Sequence, residues 1–275
     1  METIHWLFRV IKDLIKKFKP ITYSNGNDYK SDPIYVMSFN IERDKPSKND
    51  WPERRELIDD LIYELAPNII CMQEVMPHQY KYLKNQFIDY NSYFVDAFTG
   101  NSKGVIVSEG LSIFYAKDKY YLHEQGFIRL NNQFGFKTKN WRICQWIKLS
   151  TRRVYNKPYE YEEIYVFNVH LDHEDEESRK IGIEKILNKI EEIKQSKDYL
   201  PTKSKFFICG DFNMEISWHD WFKDFAKNFS FSHFKEGTVI DNKANIDYIF
   251  TTSDVEYACL RTIMSDHYPI IAKCK

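Results

Sequence analysis

Residues 206–215, FFICGDFNME, constrain this chain more than any other stretch. The first four form a short apolar run of the kind that makes a buried strand. Gly210 breaks the run, and Asp211 and Asn213 follow two residues apart. Side chains two apart on an extended chain share a face. A carboxylate and an amide are therefore delivered together at the end of a rigid base. Asp, Asn and Gly are also ordinary turn residues, so this stretch alone reads at least as easily as a strand ending in a turn.

The same pattern recurs along the chain. Asn40 closes the apolar run 34–39, Gln73 and Glu74 close 68–72, and His170 closes 164–169. Asp247 stands at the head of 246–250, IDYIF, while Asp266 and His267 precede the last run, 268–272. Singly, each has a bland reading: a turn asparagine, a solvated acid, a hydrogen-bonded core histidine. As a set they are carboxylates with amide support and two histidines. Mg²⁺ prefers such oxygen ligands and keeps water and substrate phosphate in its shell. Buried carboxylates repel one another, at several kcal/mol per desolvated ion, unless a cation or histidine compensates.

Helical periodicity and end signals predict helices over 51–65, 77–87, 176–194 and about 218–226. Further strands are predicted at 90–98, 110–115, 120–127, 143–149 and 255–262, with a polar and aromatic loop at 128–142. Strands and helices alternate early and strands dominate the middle, which implies helices outside and sheets inside. Residues 4–18 read as an amphipathic helix. Ile4, Leu7, Phe8, Ile11, Leu14, Ile15 and Phe18 fall on one side, and Arg9, Lys12, Lys16 and Lys19 on the other. Such a helix can lie on an anionic membrane surface, in a partner's groove or on its own domain. The expected division is a helix over 1–20, a linker over 21–33 and a catalytic domain over 34–275.

The net charge of -1 excludes a generic polyanion binder, because no basic excess exists to neutralise phosphates. The five cysteines show no CxxC or finger spacing. Cys71, Cys144 and Cys209 lie inside apolar runs, and the set reads as free thiols in a reducing compartment. No apolar segment is long enough to span a membrane. Arg9, Lys12, Asp13, Lys16 and Lys17 interrupt any secretory h-region. A cytoplasmic monomer is expected, with peripheral membrane contact through residues 4–18 as the variant. No GxSxG elbow or P-loop occurs, and HLDH at 170–173 lacks the first histidine pair of metallo-β-lactamase-type sites.

Several motifs, in order, resemble those of the endonuclease/exonuclease/phosphatase superfamily: SFN ending at Asn40, QE at Glu74, NVH at His170, GDFN at 210–213, IDYIF from Ile246, and SDH ending at His267. That group includes exonuclease III-type nucleases, pancreatic deoxyribonuclease, deadenylases, neutral sphingomyelinases and inositol-phosphate 5-phosphatases. NDWPERRELI from Asn49, MQEVMPHQ from Met72, WRICQW from Trp141 and HLDH resemble a bacterial-type subgroup. The resemblance implies a four-layer α/β sandwich, with two mixed sheets face to face and helices on both outer faces. It further implies a Mg²⁺-dependent phosphodiester hydrolase, with Mn²⁺ as an alternative ion. Glu74 would be the principal metal ligand, with Asn40 and Asp266 nearby. Asp211 and Asn213 would position the attacking water and the phosphate. His267, paired with Asp247, would face the scissile bond, His170 would contact phosphate or assist the leaving group, and Arg142 would add a phosphate contact.

The family motif fixes the bond and not the substrate. The first expectation is a nuclease, such as a 3′-5′ exonuclease of the deadenylase kind. A single strand could dock on Phe134, Phe136 and Trp141 among Arg129, Lys137, Lys139 and Arg142. The alternatives are a phosphodiesterase or phosphatase for a phospholipid or small ester, and a catalytically silent binding module. The acidic run from Asp172 to Glu177 is expected to be a solvated helix start.

Overall fold

The computed structural model describes residues 33–45, 47–48, 50–102, 105–131, 141–151 and 161–275, with side-chain detail omitted for 98–107. The amphipathic stretch 4–18, all but the last residue of the linker, and most of the 128–142 loop lie outside the described residues.

Twelve strands form two six-stranded sheets among these residues. The first contains β1 (Ile34–Asn40), β2 (Ile69–Val75), β3 (Tyr90–Ser102), β4 (Val105–Ala116), β11 (Val255–Cys259) and β12 (Ile270–Cys274), in the order β11-β12-β1-β2-β4-β3. The second contains β5 (Tyr120–Arg129), β6 (Ile143–Thr151), β7 (Glu163–His170), β8 (Ser204–Asp211), β9 (Ser230–Phe231) and β10 (Asp247–Thr251), in the order β5-β6-β7-β8-β10-β9. Among the described residues, four α-helices cover the outer faces: α1 (Trp51–Leu65), α2 (Pro77–Gln86), α3 (Glu176–Lys194) and α4 (Asp220–Ala226).

The amphipathic patterns decide which faces meet. α1 buries Trp51, Ile58, Leu61, Ile62 and Leu65, one stripe at helical spacing, against Met37, Phe39 and Met72 of the first sheet. α3 buries Ile183, Ile186, Ile190 and Ile193 against Tyr165, Phe167 and Ile208 of the second. Val36, Cys71, Ile113, Ile147, Val166, Phe207 and Ile249 fill the space between the sheets. The result is the expected four-layer sandwich. β1 and β7 read as unbroken apolar runs because both of their faces are covered. All five cysteines are free, and only Cys259 is not fully buried.

Several boundaries differ from the sequence expectation. The hairpin β3–β4 runs to Ser102 and Val105: the β-branched run 105–107 is a strand former by itself, and its pairing extends β3 through the polar residues 99–102, which carry no strand signal of their own. β5 continues to Arg129, so the expected loop starts later. β11 ends at Cys259 instead of 262: the Leu260 amide still donates to Pro269 O at 2.8 Å in the same register, but Pro269 has no N–H to carry the ladder further. Asp172 is not a solvated helix acid. It is buried, and its Oδ1 accepts from the amides of Glu174 and Asp175, while Asp175 caps α3 through Ser178 N. Among the described residues no helix is long and apolar enough to cross a membrane.

Strand direction gathers the polar residues. β1 and β2 run parallel, as do β7 and β8, so their C-terminal ends lie at one edge of the sandwich. β10 is antiparallel to β8, and β12 to β1, so these two strands begin where the others end. Residues that close one set and precede the other therefore meet. Gly210 fits this crossing. Its φ is +147°, and a Cβ there would lie 1.9 Å from Val169 O. Gly210→Ala should destabilise the protein by ~2–3 kcal/mol and lower Tm by ~5–10 °C. Thermal unfolding checks this, and an unchanged Tm would refute the close approach.

Candidate active site

Three strands align the first part of the site. Register pairs His170 with Asp211 across β7–β8, and Asp247 with Asp211 across β8–β10. Residues opposite one another on neighbouring strands project to the same face. Asp211 therefore has a histidine on one side and a carboxylate on the other. His267 enters from the turn before β12. Its Nδ1 shares a 2.8 Å hydrogen bond with Asp247 Oδ2, and its Nε2 stands 3.8 Å from Asp211 Oδ2. His170 Nε2 lies 3.6 Å from the same oxygen.

The sheet facing them supplies Asn40 and Glu74. Asn40 Nδ2 donates to Glu74 Oε1 at 3.2 Å and to Asp211 Oδ2 at 3.1 Å, joining the two sheets. Its Oδ1 accepts from Glu42 N. Glu74 occupies the left-handed region, φ 57°, where β2 and β4 change register, and Arg43 N donates to its second oxygen at 3.3 Å. Asn213 is also left-handed, φ 51°. Its amide N–H donates to Asp211 Oδ1 at 2.8 Å, and its side chain donates to Leu171 O. Two non-glycine residues in this sparsely populated region, at the ends of buried strands, mark a constrained site.

The electrostatics separate the two histidines. Burial, the Arg142 guanidinium and His267 hold His170 well below the ordinary histidine range, so its imidazole is neutral. Burial would also push His267 down, but the carboxylates of Asp247 and Asp211 outweigh it and raise the imidazole to about 10. Burial and the charge of Asp247 raise the Asp211 carboxyl to about 7, against the opposing pull of His267 and the hydrogen bonds from Asn213 and Asn40.

Asp266 does not bond to this network directly. Its Oδ1 lies 3.2 Å from Ser265 Oγ, whose single hydrogen goes to Asn40 O, while burial and the charges of Glu42 and Glu74 raise its carboxyl despite His267. The acids around Glu74 thus repel one another, and the free donor set is oxygen from two carboxylates. A hard divalent cation fits that chemistry. Asn40 turns its amino group, not its oxygen, toward the acids, so here it orients Glu74. Asp211, Asp247 and His267 also place ligand atoms within 4.8 Å of one another. His267 Nδ1 is already bonded to Asp247, however, and a protonated ring offers no lone pair. That trio is better described as a hydrogen-bonded acid–base unit.

Arg142 lies beside the site, in a pocket it shares with Glu74, Glu109 and His170. Its Nη2 pairs with His173 Nδ1 at 3.0 Å. The structure thus gathers Asn40, Glu74, His170, Asp211, Asn213, Asp247, Asp266, His267 and Arg142 at one edge of the sandwich.

Other residues support these from behind. Thr238 Oγ1 donates to Asp247 Oδ2 at 2.6 Å and accepts from Asp247 N at 3.1 Å, which fixes that carboxylate from outside its strand. Ser265 Oγ donates to Asn40 O at 2.6 Å. Arg54, buried in α1, donates to the carbonyls of Ile41, Glu42 and Met264 and pairs with Asp50, clamping the loop after β1 to the turn carrying His267. Its place in WPERR is a sequence signal. Thr238 and Glu109 sit in no pattern that periodicity or spacing could single out.

The family model of the endonuclease/exonuclease/phosphatase family matches residues 37–267. No curated protein matches the chain. Among solved structures, an endonuclease/exonuclease/phosphatase family protein from Bacteroides thetaiotaomicron is similar at TM-score 0.71 and 22% identity, covering 88% of this chain and 97% of that one. A mannosyl-6-phosphatase from the same organism is similar at TM-score 0.69 and 23% identity, covering 87% and 98%. ANGEL2, named as a 2′,3′-cyclic phosphatase, is similar at TM-score 0.69 and 16% identity, covering 88% and 95%.

Proposed function

Because the chain belongs to the endonuclease/exonuclease/phosphatase family and is a phosphoesterase, we propose that it is a Mg²⁺-dependent hydrolase of a small phosphate ester. The observation that carries the catalytic reading is the buried unit of His170, Asp211, Asp247 and His267. Attack of water on phosphorus needs an oriented water, charge stabilisation on the phosphate oxygens and help for the leaving alkoxide. Asp211 is the acceptor that orients the water, held by Asn213 N and Asn40. His267, kept in one tautomer by Asp247, offers its Nε2 toward the phosphate. Neutral His170 presents a donor or acceptor beside the same carboxylate. Glu74 and Asp266 would hold the cation, with Asn40 orienting Glu74. When bound, the ion supplies Lewis-acid neutralisation of phosphate charge.

Substrate size is argued from the cations around the mouth. Arg43 pairs with Glu109 at 3.4 Å, and Lys45 and Lys48 pair with Glu42 at 2.7 and 2.6 Å. These charges are spent on protein acids, so they form no track for a long polyanion. Two structural neighbours are named for a sugar phosphate and a cyclic phosphate, which fits a compact ester in this fold. The nuclease reading keeps one supporting observation. The Arg129 guanidinium stacks 4.5 Å from the Trp141 ring, a platform of the kind that holds single strands.

The test is turnover of the purified protein with Mg²⁺ or Mn²⁺ on hexose phosphates, phenyl phosphate, a glycerophosphodiester, a phosphoinositide and single-stranded RNA and DNA. Small esters are expected to turn over fastest. Cleavage of oligonucleotides alone would establish the nuclease instead. EDTA should abolish turnover, and excess Mg²⁺ should restore it. Glu74→Gln keeps shape but loses charge, so its half-saturating Mg²⁺ concentration should rise at least ~10-fold. Full activity in a chelated sample would sink the metal assignment.

A further inference from the structure

Strand β2 is irregular at the residue the cation would need. Met72 pairs with Ser112 and Val75 with Gly110, so Gln73 and Glu74 of β2 together stand against Leu111 of β4. Without this bulge, alternation would aim Glu74 away from the site. Ile69 and Cys71 face the second sheet, while Ile70 and Met72 face the helices. An even continuation would put Glu74 on the helix side with Met72. The extra residue and the left-handed Glu74 backbone, φ 57°, turn the carboxylate to the face where Asn40 meets it.

The side chains behind the bulge are polar, in a layer that is otherwise apolar. Asn168 of β7 follows Ile164 and Val166 on the face toward the first sheet, and it is fully buried. Its Nδ2 donates to Met72 O and Ser112 O, both at 3.0 Å. These are the carbonyls of the last regular pair before the bulge. Its Oδ1 accepts at 2.7 Å from Nε2 of Gln73, the first bulged residue, which is also fully buried. One amide therefore spends its donors and its acceptor on Met72, Ser112 and Gln73. An apolar side chain would fill the same space at less desolvation cost, but it could hold none of the three.

We infer that Asn168 is a positioning residue for the cation site: reaching across from the second sheet, it locks the β2 bulge in the form that presents Glu74. This role rests on the reading of Glu74 as a cation ligand. It also ties the two halves of the site together. Asn168 lies two residues before His170 on β7, so the strand that supplies the histidine also sets the carboxylate of the opposing sheet. The competing role is that of a polar packing partner between the sheets, which would matter for stability alone.

The experiment measures Mn²⁺ binding to the purified, substrate-free protein by loss of the free-ion EPR signal, with thermal unfolding in the absence of metal alongside. Glu74→Gln removes the charge of the ligand. Asn168→Ala removes the contacts to the bulge. Gln73→Met keeps the length of the side chain and loses its donor. Val166→Ala opens the same layer two residues earlier without removing a hydrogen bond. Asn168→Ala should raise the Mn²⁺ Kd at least ~10-fold, the scale of losing a group that orients a ligand, and Gln73→Met at least ~3-fold. Val166→Ala should lower Tm by a similar amount and leave Kd within about 2-fold, because a cavity in the layer does not release the bulge. A lower Tm with unchanged Kd for Asn168→Ala would overturn the positioning role, as would an equal rise in Kd for Val166→Ala. If Asn168→Ala does not fold, Gln73→Met decides: a raised Kd supports the role and an unchanged one overturns it. Binding that Glu74→Gln weakens and the Asn168 and Gln73 variants do not would remove the positioning role alone. A wild type that does not bind Mn²⁺, or Glu74→Gln binding as wild type, would remove the cation-ligand reading and the positioning role together.

Discussion

Asp211→Asn is expected to lower kcat by about 10²–10⁴-fold, the range for losing a positioned acid–base group, without lowering thermal stability by more than a few degrees. Asp211 is the meeting point of the site. Its two oxygens receive Asn213 N and Asn40 Nδ2, and both histidine Nε2 atoms stand within 3.8 Å of Oδ2. Asparagine can keep the bond from Asn213 N through its own oxygen. Its amino group would face the amino group of Asn40, so one hydrogen bond is lost. Against that loss, the substitution removes a buried carboxylate beside Asp247. A carboxyl pushed up to about 7 shows that its charge opposes folding at neutral pH. The two effects have opposite signs and similar size, so Tm should move little or rise. If Asp211 were only a core polar partner, the outcome would reverse, with a lower Tm and an unchanged rate per folded molecule. Turnover and thermal unfolding on one preparation separate the two.

Such a position, costly to folding, is where sequence reasoning works best. A buried charge must be compensated, and its compensating partners leave marks. Asn40, Glu74, His170 and Asp211 are legible because each ends an apolar run, and parallel strand pairs bring run ends to one edge. Asp247 and His267 are legible for the complementary reason, since antiparallel neighbours begin where the others finish. Thr238 and Glu109 were not legible. Thr238 reaches Asp247 from an irregular segment without pattern, and Glu109 depends on a tight β3–β4 approach that pairing alone creates. The hairpin tip to Ser102 is not legible because the polar residues 99–102 acquire strand geometry from their partners on β4. Asp172 departs from the expectation because an acid before a helix is usually solvated. Here two backbone amides turn toward it and bury it.

The second large effect is expected at His267. His267→Ala should lower kcat by about 10²–10⁴-fold. The imidazole is held in one orientation by Asp247, and Asp247 is itself held by Thr238 Oγ1. This chain of contacts directs Nε2 to the side of Asp211 where the phosphate would lie. Nearby carboxylates raise the ring to about 10, so at neutral pH it is an imidazolium able to stabilise phosphate charge or give up a proton. Alanine removes that function and also leaves Asp247 buried with Thr238 as its remaining side-chain partner. Some loss of stability should accompany the loss of rate, and it must be kept distinct from it. His267→Asn, which retains a donor near the Nδ1 position, should recover part of the Tm and little of the kcat. Asp247→Asn should reduce kcat by a similar or smaller factor, through the orientation of the ring. The double variant Asp247→Asn/His267→Ala should be little slower than His267→Ala alone, because residues acting as a unit are not additive. Multiplicative losses would mean that the two residues act separately. A near-normal kcat for His267→Ala, measured per folded molecule, would take the histidine out of the reaction and leave the Asp247 pair as a packing contact at the edge of the sandwich.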